Sequence, residues 1–359
     1  MIALAILTGM TTFSTDSDCR GGSDPSQNPN QKGFADTRRH LVFHPQYQTD
    51  LPAYGLSQPF ALDRGAMVLR RLAMELGQTP AYEAPRPLER SQVTRVHTEA
   101  YLESLSQSST WLEIFELKEE LDALGRLPGA VKPFHTILDD FLLKAGGTLL
   151  SARKAIADGM CANLGGGYHH AFPDQGRGFC AINDVAITVH EILREKLAER
   201  VMVVDVDFHQ GDGTARCLSG RKDVFTFSIH SHEGWPEEKS VSSKDIAVAE
   251  KDQTRYLDML QEGLAASVQE FQPDFVLLVD GSDAYEKDVL PGTKFLKLPL
   301  SVMQKRSEYI IDLFAERKIP LSLVFAGGYG PDVWEVHYHT VRQLLARSGV
   351  TFGAAARIT

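Results

Sequence analysis

The run Val203-Val204-Asp205-Val206-Asp207-Phe208-His209-Gln210-Gly211-Asp212-Gly213 joins an apolar stretch to two carboxylates and an imidazole spaced two residues apart. In extended backbone the side chains at i, i+2 and i+4 leave on the same side, so Asp205, Asp207 and His209 converge. Two hard oxygen donors and one nitrogen at the end of a buried strand suit a divalent cation that keeps positions for water or substrate. The pattern points to a catalytic site more than to a structural one.

The elements that must hold these side chains can be read from hydrophobic patterning. Apolar runs at 41–43, 201–206, 224–229, 275–279 and 321–325 predict strands, and their near-continuous hydrophobicity predicts a parallel sheet covered on both faces. Between them Leu138, Phe141, Leu142, Ala145, Leu149, Ala152 and Ile156 recur at helical spacing, with Gly159 placed to stop the helix. Ile182, Val185, Val189, Ile192 and Leu193 form a second such stripe. Strand-to-helix connections are short and no repeat or linker interrupts residues 40–359, which predicts one α/β domain.

In open parallel sheets, ligand sites form beyond the carboxyl ends of the strands. Four apolar runs end in chemistry: Gly165-Gly166-Gly167-Tyr168-His169-His170 after Leu164, the Asp-x-Asp-x-His cluster, Asp280-Gly281-Ser282-Asp283 after Val279, and Ala326-Gly327-Gly328-Tyr329-Gly330 after Phe325. Each alone has an ordinary explanation. Paired histidines occur at random, glycines turn a chain, Asp283 can cap the next segment, and a Gly-Gly-Tyr can be a tight turn. Four of them at four strand ends describe a site.

Composition sets the outer limits. The 359 residues are 43% hydrophobic and 23% charged, enough for a large core, and the charge of −10 disfavours a hold on phosphate backbone. A cationic partner fits better than nucleic acid. Cys19, Cys161, Cys180 and Cys217 show no paired spacing, so neither a disulfide scaffold nor a thiolate zinc site is expected, and a reducing cytoplasmic setting follows, or a nuclear one in a eukaryote. The opening Met1-Ile2-Ala3-Leu4-Ala5-Ile6-Leu7 lacks a preceding basic stretch and reads as a signal-peptide mimic or a non-native leader. No run reaches the ~20 apolar residues of a membrane span. Residues 11–37 are too polar to bury a core, so 1–38 are expected to be a disordered leader and 39–359 the folded domain.

The four motifs together resemble the zinc-dependent histone deacetylase family, whose fold is shared with arginase. The likeness spans nearly all of residues 41–350 and includes Phe43-His44-Pro45-Gln46-Tyr47, Val96-His97-Thr98-Glu99-Ala100-Tyr101-Leu102, Gly178-Phe179-Cys180-Ala181-Ile182-Asn183-Asp184 and residues 283–290. Gly165-Gly166-Gly167 and His209-Gln210-Gly211 look most like its class IV branch. The resemblance implies a single-domain three-layer α/β/α fold of the arginase/deacetylase type around a mostly parallel β-sheet. It implies hydrolysis of acetyl or longer acyl groups from lysine side chains of a protein or peptide, or from small acylated amines such as polyamines.

What it implies about residues is specific. One zinc ion would be held by Asp207, His209 and Asp283. His169 would pair with Asp205 to orient and stabilise charge, and His170 with Asp212 to act as general base. Tyr329 would offer its hydroxyl to the developing oxyanion, with Gly328 beside it. Gly178 and Phe179 would form a wall around the lysine stem and Leu290 would sit at the rim. A potassium ion would lie behind the zinc against Asp205, Asp207, His209, Ser228 and Ile229. The rim segments 51–59, Trp235-Pro236-Glu237-Glu238 and Tyr285-Glu286-Lys287 would select the substrate.

Three positions depart from the pattern. Asp280 is an extra acid that either competes with Asp283 or pairs elsewhere, and the spacing to Asp288 and Leu290 favours Asp283 as the ligand. Asp212 stands where class IV members tend to carry an amide, and Pro291 interrupts a glycine-rich turn. His40, His44, His97, His135, His190, His230, His232, His337 and His339 lack partners at ligand spacing and read as structural or solvated. Cys161 and Cys180 read as small buried hydrophobes. A binuclear ureohydrolase would need further ligands where the chain has Gly211, Gly281 and Tyr285, and a non-catalytic acyl-lysine binder would not need to keep the whole set.

Overall fold

The computed structural model describes residues 36–56 and 63–352. The leader expected over 1–38 lies outside them except for its last three residues, as does the end of the 51–59 segment. The short 3-10 helix Thr37–Arg39 is capped by the Asp36 side chain, and Thr37 Oγ1 donates to the Ala81 carbonyl at 2.8 Å.

Seven strands build one sheet: β1 (Leu41–Val42), β2 (Met160–Asn163), β3 (Val201–Asp205), β4 (Val224–Ser231), β5 (Lys244–Val248), β6 (Phe275–Asp280) and β7 (Leu321–Phe325). Their spatial order is β1-β2-β7-β6-β3-β4-β5, and every pairing is parallel. Parallel neighbours need crossover segments, which place helices on both faces. The two-residue period of the strands sorts the core accordingly. Met202, Val204, Val276, Leu278, Leu321 and Leu323 pack with Leu264, Ile310 and Val341 on one side, and Val201, Val203, Phe275, Leu277, Val279 and Val324 pack with Leu149, Val189 and Ile192 on the other. This is the single-domain α/β/α arrangement that the apolar runs predict.

The predicted helical stripes are the helices Leu138–Asp158, ended by Gly159 at φ 98°, and Asp184–Arg194, capped by the Asn183 side chain. Sequence patterning passes over β5 because Lys244, Asp245 and Ala247 are exposed on a sheet edge, leaving no apolar run to detect. Beside the sheet, Trp111, Phe115, Phe134 and Phe141 form an aromatic cluster that reaches Tyr168 and Phe179 through ring contacts at 4.6 and 6.0 Å. Pairs of this kind add about 0.5–1.5 kcal/mol each beyond burial.

Candidate active site

The four strands whose ends carry polar motifs, β2, β7, β6 and β3, are neighbours at the centre of the sheet. Their parallel direction brings all four motifs to one edge. Beyond Asp205 the chain turns on its own carboxylates: Asp205 Oδ1 accepts the Asp207 N–H at 3.1 Å, and Asp207 Oδ1 accepts the His209 N–H at 2.9 Å. Long-range bonds lock the rest. Asp207 Oδ2 accepts the Gly327 N–H at 2.7 Å, and Asp283 Oδ1 accepts the Phe208 N–H at 2.8 Å.

Asp207, His209 and Asp283 are all buried, and one ligand atom from each lies within 4.8 Å of the others. His209 Nδ1 stands 3.1 Å from Asp207 Oδ1 and 2.9 Å from Asp283 Oδ2. Ligand atoms held tetrahedrally ~2.0–2.1 Å from a zinc ion lie roughly 3.3 Å apart, close to these separations. Asp283 Oδ2 is buried and, although near the imidazole, lies off hydrogen-bonding geometry. Two carboxylates and an imidazole with an unspent buried oxygen therefore fit a divalent cation. Of the potassium set, Ser228 Oγ is hydrogen-bonded to His230 Nδ1 at 2.9 Å, the Asp205 oxygens accept from Asp207 N–H and face His169 Nδ1, and Ile229 is buried on the same strand.

Two imidazole–carboxylate dyads stand beside the triad. His169 Nδ1 lies 2.7 Å from Asp205 Oδ2, and His170 Nδ1 lies 2.7 Å from Asp212 Oδ1. Burial works against a charge on His169, but Asp205 and Asp207 outweigh it and push its pKa up to about 9. Burial drives His170 well below its ordinary value, and the positive neighbours His169, His209 and Arg177 reinforce this. Asp212 is raised to about 6 by burial, against the pull of Arg177.

Tyr329 and Phe179 face each other across the cavity with ring centroids 6.1 Å apart. Phe179 adopts φ 62°, a left-handed conformation costing a bulky residue about 1–2 kcal/mol. Its N–H donates to the Ile114 carbonyl at 3.1 Å and Phe115 backs its ring, which offset that strain. The Tyr329 N–H donates to Asp288 Oδ2 at 2.7 Å, so the Asp288 side chain sets the tyrosine loop. Burial, with Asp283 and Asp207 nearby, keeps the Tyr329 phenol protonated far above neutral pH. Gly178 and Gly328 line the same cavity. Leu290 is half-buried on the turn past Asp288, where its N–H donates to Asp288 Oδ1, and its neighbour Val289 donates its N–H to the Tyr329 carbonyl at 3.1 Å.

Asp280 takes the second of its two options. Its carboxylate pairs with Arg306 at 2.7 Å and His337 at 3.2 Å, behind the triad and fully buried. Arg306 also donates to the carbonyls of Val206 and Gly281, and Arg64 donates to those of Ala326 and Gly327. These cations tie three strand ends together from behind. Sequence patterning misses them because an arginine in an amphipathic helix reads as surface. It also misses Arg177, which stacks 4.6 Å over Trp235, itself 4.7 Å from His170.

Among the described residues, the positions that would supply ligands to a second metal are not free to do so. A Cβ at Gly281 would overlap Asp207 Oδ2 and one at Gly211 would overlap Asp205 Oδ2, so neither position can carry a ligand, and the Tyr285 hydroxyl is spent on Glu335. Among the described residues no helix is long and apolar enough to cross a membrane.

Comparisons with known proteins agree with this geometry. The histone deacetylase domain model matches residues 58–345. An uncharacterized protein of Picosynechococcus is 30% identical over 86% of this chain and 98% of its own length. Histone deacetylase 2 of Arabidopsis thaliana is 30% identical over 80% of this chain and 74% of its own, and the acetoin utilization protein AcuC of Staphylococcus xylosus is 26% identical over 81% and 78%. The crystal structure of the HDA15 HD domain superposes with a TM-score of 0.64 at 18% identity, covering 87% of this chain and 92% of that one, which speaks for the fold. With a family model matching most of its length, and its fold and strand-end motifs in accord, this chain belongs to the histone deacetylase family.

Proposed function

We propose that the protein is a zinc-dependent amidohydrolase that removes acetyl or longer acyl groups from lysine side chains, with small acylated amines as the second substrate class. The observation that carries this reading is the meeting of the Asp207–His209–Asp283 triad, two imidazole–carboxylate dyads and Tyr329 around one cavity. Held by that triad, the ion would polarise the amide carbonyl and acidify a water molecule.

The chain's own groups do the rest. His170 Nδ1–H donates to Asp212, which leaves Nε2 with its lone pair, and its lowered pKa keeps that nitrogen free to take a proton from water. His169, which holds its proton more tightly, supplies positive charge where the oxyanion develops. Tyr329 adds a hydrogen-bond donor to that oxygen, and its high pKa keeps the donor proton in place. Phe179 and Tyr329 give the acyl-lysine stem aromatic walls, favourable for a neutral amide and unfavourable for the charged amine released. Exposed Glu237, Glu238 and Glu286 suit a cationic peptide or amine. Cys161, Cys180 and Cys217 are free thiols, which supports a reducing cytoplasmic setting. Gly165-Gly166-Gly167 and His209-Gln210-Gly211 support likeness to the class IV branch, from which Asp212 sets the chain apart.

The test is hydrolysis of acetyl-lysine peptides and acetylated polyamines with and without a zinc chelator, in the wild type and in Tyr329→Phe. Chelator-sensitive turnover in the wild type is expected. Tyr329→Phe should lose about 10²–10³-fold in kcat, as for other oxyanion donors, while retaining bound zinc. Full activity in that variant would refute the oxyanion role, and no turnover on any acylated amine would refute the hydrolase reading.

A further inference from the structure

The cavity does not end at the triad. The residues that line it continue past Gly165, Gly166 and Gly167 to Tyr47, Arg64 and Lys144. Beside it lies a smaller chamber walled by Leu51, Phe115, Ile137 and Phe141, which shares Lys144, Tyr168 and Phe179 with the main cavity. An acyl chain directed away from the lysine stem would meet this region.

Lys144 is the unusual group there. It is a lysine in the middle of the helix Leu138–Asp158, only 8% exposed. Its Nζ makes one hydrogen bond among the described residues, to Thr49 Oγ1 at 3.0 Å. An ammonium has three donors, so among the described residues two of its protons have no hydrogen-bond partner in a buried wall, which is costly. Asp140, one turn earlier on the helix, acts on it from a distance without forming an ion pair among the described residues. Burial pulls the Lys144 pKa down to about 8, against the pull of Asp140. Arg64 is different: its Nη1 donates to the Ala326 and Gly327 carbonyls and faces His337 Nε2, so its charge is spent on the fold. Tyr47 is likewise spent, its hydroxyl donating to Asn163 at 2.8 Å.

We infer that Lys144 makes the inner end of the acyl pocket a subsite for acyl groups that end in a carboxylate, of the succinyl class, an inference that rests on the lysine-deacylase reading. The apolar walls of the side chamber would hold the methylenes, and the two unspent Nζ protons would meet the terminal carboxylate. A neutral acyl group of the same length leaves the buried ammonium unpaired. The reaction stays a hydrolysis: water adds to the amide carbonyl carbon, the C–N bond breaks, the proton goes to the leaving amine, and succinate and the lysine ammonium are released.

The experiment measures kcat/KM for matched peptides carrying succinyl-lysine and butyryl-lysine, which share a four-carbon chain, in the wild type and in Lys144→Met and Lys144→Gln. The wild type should prefer succinyl. A charged hydrogen bond of this kind corresponds to ~10–100-fold in that ratio, and both variants should lose it. Because the ratio is taken within one preparation, partial unfolding of a variant cancels. Equal rates on the two peptides in the wild type, or a ratio unmoved by the substitutions, would overturn the inference. Calorimetric titration of free succinate, with butyrate as control, separates the two readings. If no peptide turns over yet succinate binds the wild type and not Lys144→Met, the deacylase reading fails and the subsite stands. If peptides turn over but succinate binding and the succinyl preference are both missing, the subsite fails and the deacylase stands.

Discussion

His169–Asp205 and His170–Asp212 are built on the same 2.7 Å contact between Nδ1 and a carboxylate oxygen, on adjacent residues, yet they end up with opposite proton affinities. Burial opposes a charge on both rings; carboxylates outweigh it at His169, whereas at His170 the positive neighbours His169, His209 and Arg177 reinforce it. His169 faces a further carboxylate, Asp207, 3.7 Å from its Nε2, which adds to the attraction of Asp205. His170 has Arg177 beyond its partner, with Nη1 3.4 Å from Asp212 Oδ2, and the edge of Trp235 against its ring. A dyad's role is therefore set less by its own hydrogen bond than by the sign of the charge behind it. Two imidazoles with separated pKa values, one neutral and one cationic, are what acid–base hydrolysis at one carbonyl requires.

Removing each histidine in turn should have the largest effects. His170→Ala should lower kcat by about 10²–10⁴-fold, the range for a general base, whereas His169→Ala should cost about 10²-fold, as for a lost charge-stabilising group. Steady-state kinetics on an acetyl-lysine peptide checks this, and equal losses would mean that the two rings share one role. A smaller effect should follow from Arg177→Leu. Arg177 disfavours the protonated form of His170, so its loss raises the pKa of that ring. The base then becomes protonated at higher pH as the solution is acidified, and the acid limb of the kcat/KM profile moves upward. The alkaline limb, which the proposed mechanism assigns to His169, should stay in place. Movement of the alkaline limb alone would show that Arg177 acts elsewhere.

How much of this was legible in the chain follows from which contacts are local. Asp205, Asp207 and His209 leave one strand end within five residues, so their alternation marks them in the sequence even though the chain bends beyond Asp205. The Gly-Gly-Gly-Tyr-His-His and Gly-Gly-Tyr-Gly runs are equally contiguous. Arg306 is not: it reaches the Val206 carbonyl across 100 residues, and nothing in its helix marks it as buried. The same holds for Arg64 and His337, and for Lys144, whose helical stripe predicts burial of its neighbours but not of an amine. Asp280 shows the limit within a motif. Spacing left it two partners, and only the placement of Arg306 decided between them. The bonds from Asp288 to Leu290 and Thr293 that shape the following turn are local, yet no hydrophobic period marks them. The edge strand β5 was invisible because exposure on an edge removes the hydrophobic signal by which strands are recognised.

The proposed chemistry turns on a single metal held by Asp207, His209 and Asp283. The direct measurement is the metal content per chain of the protein stripped with a chelator and reloaded with zinc, in parallel for the wild type and Asp283→Ala, with acetyl-lysine hydrolysis read on the same samples. One zinc per wild-type chain, turnover that returns with it, and loss of both in Asp283→Ala are expected. Two zinc ions per chain, or turnover that survives complete removal of the metal, would contradict the proposed chemistry.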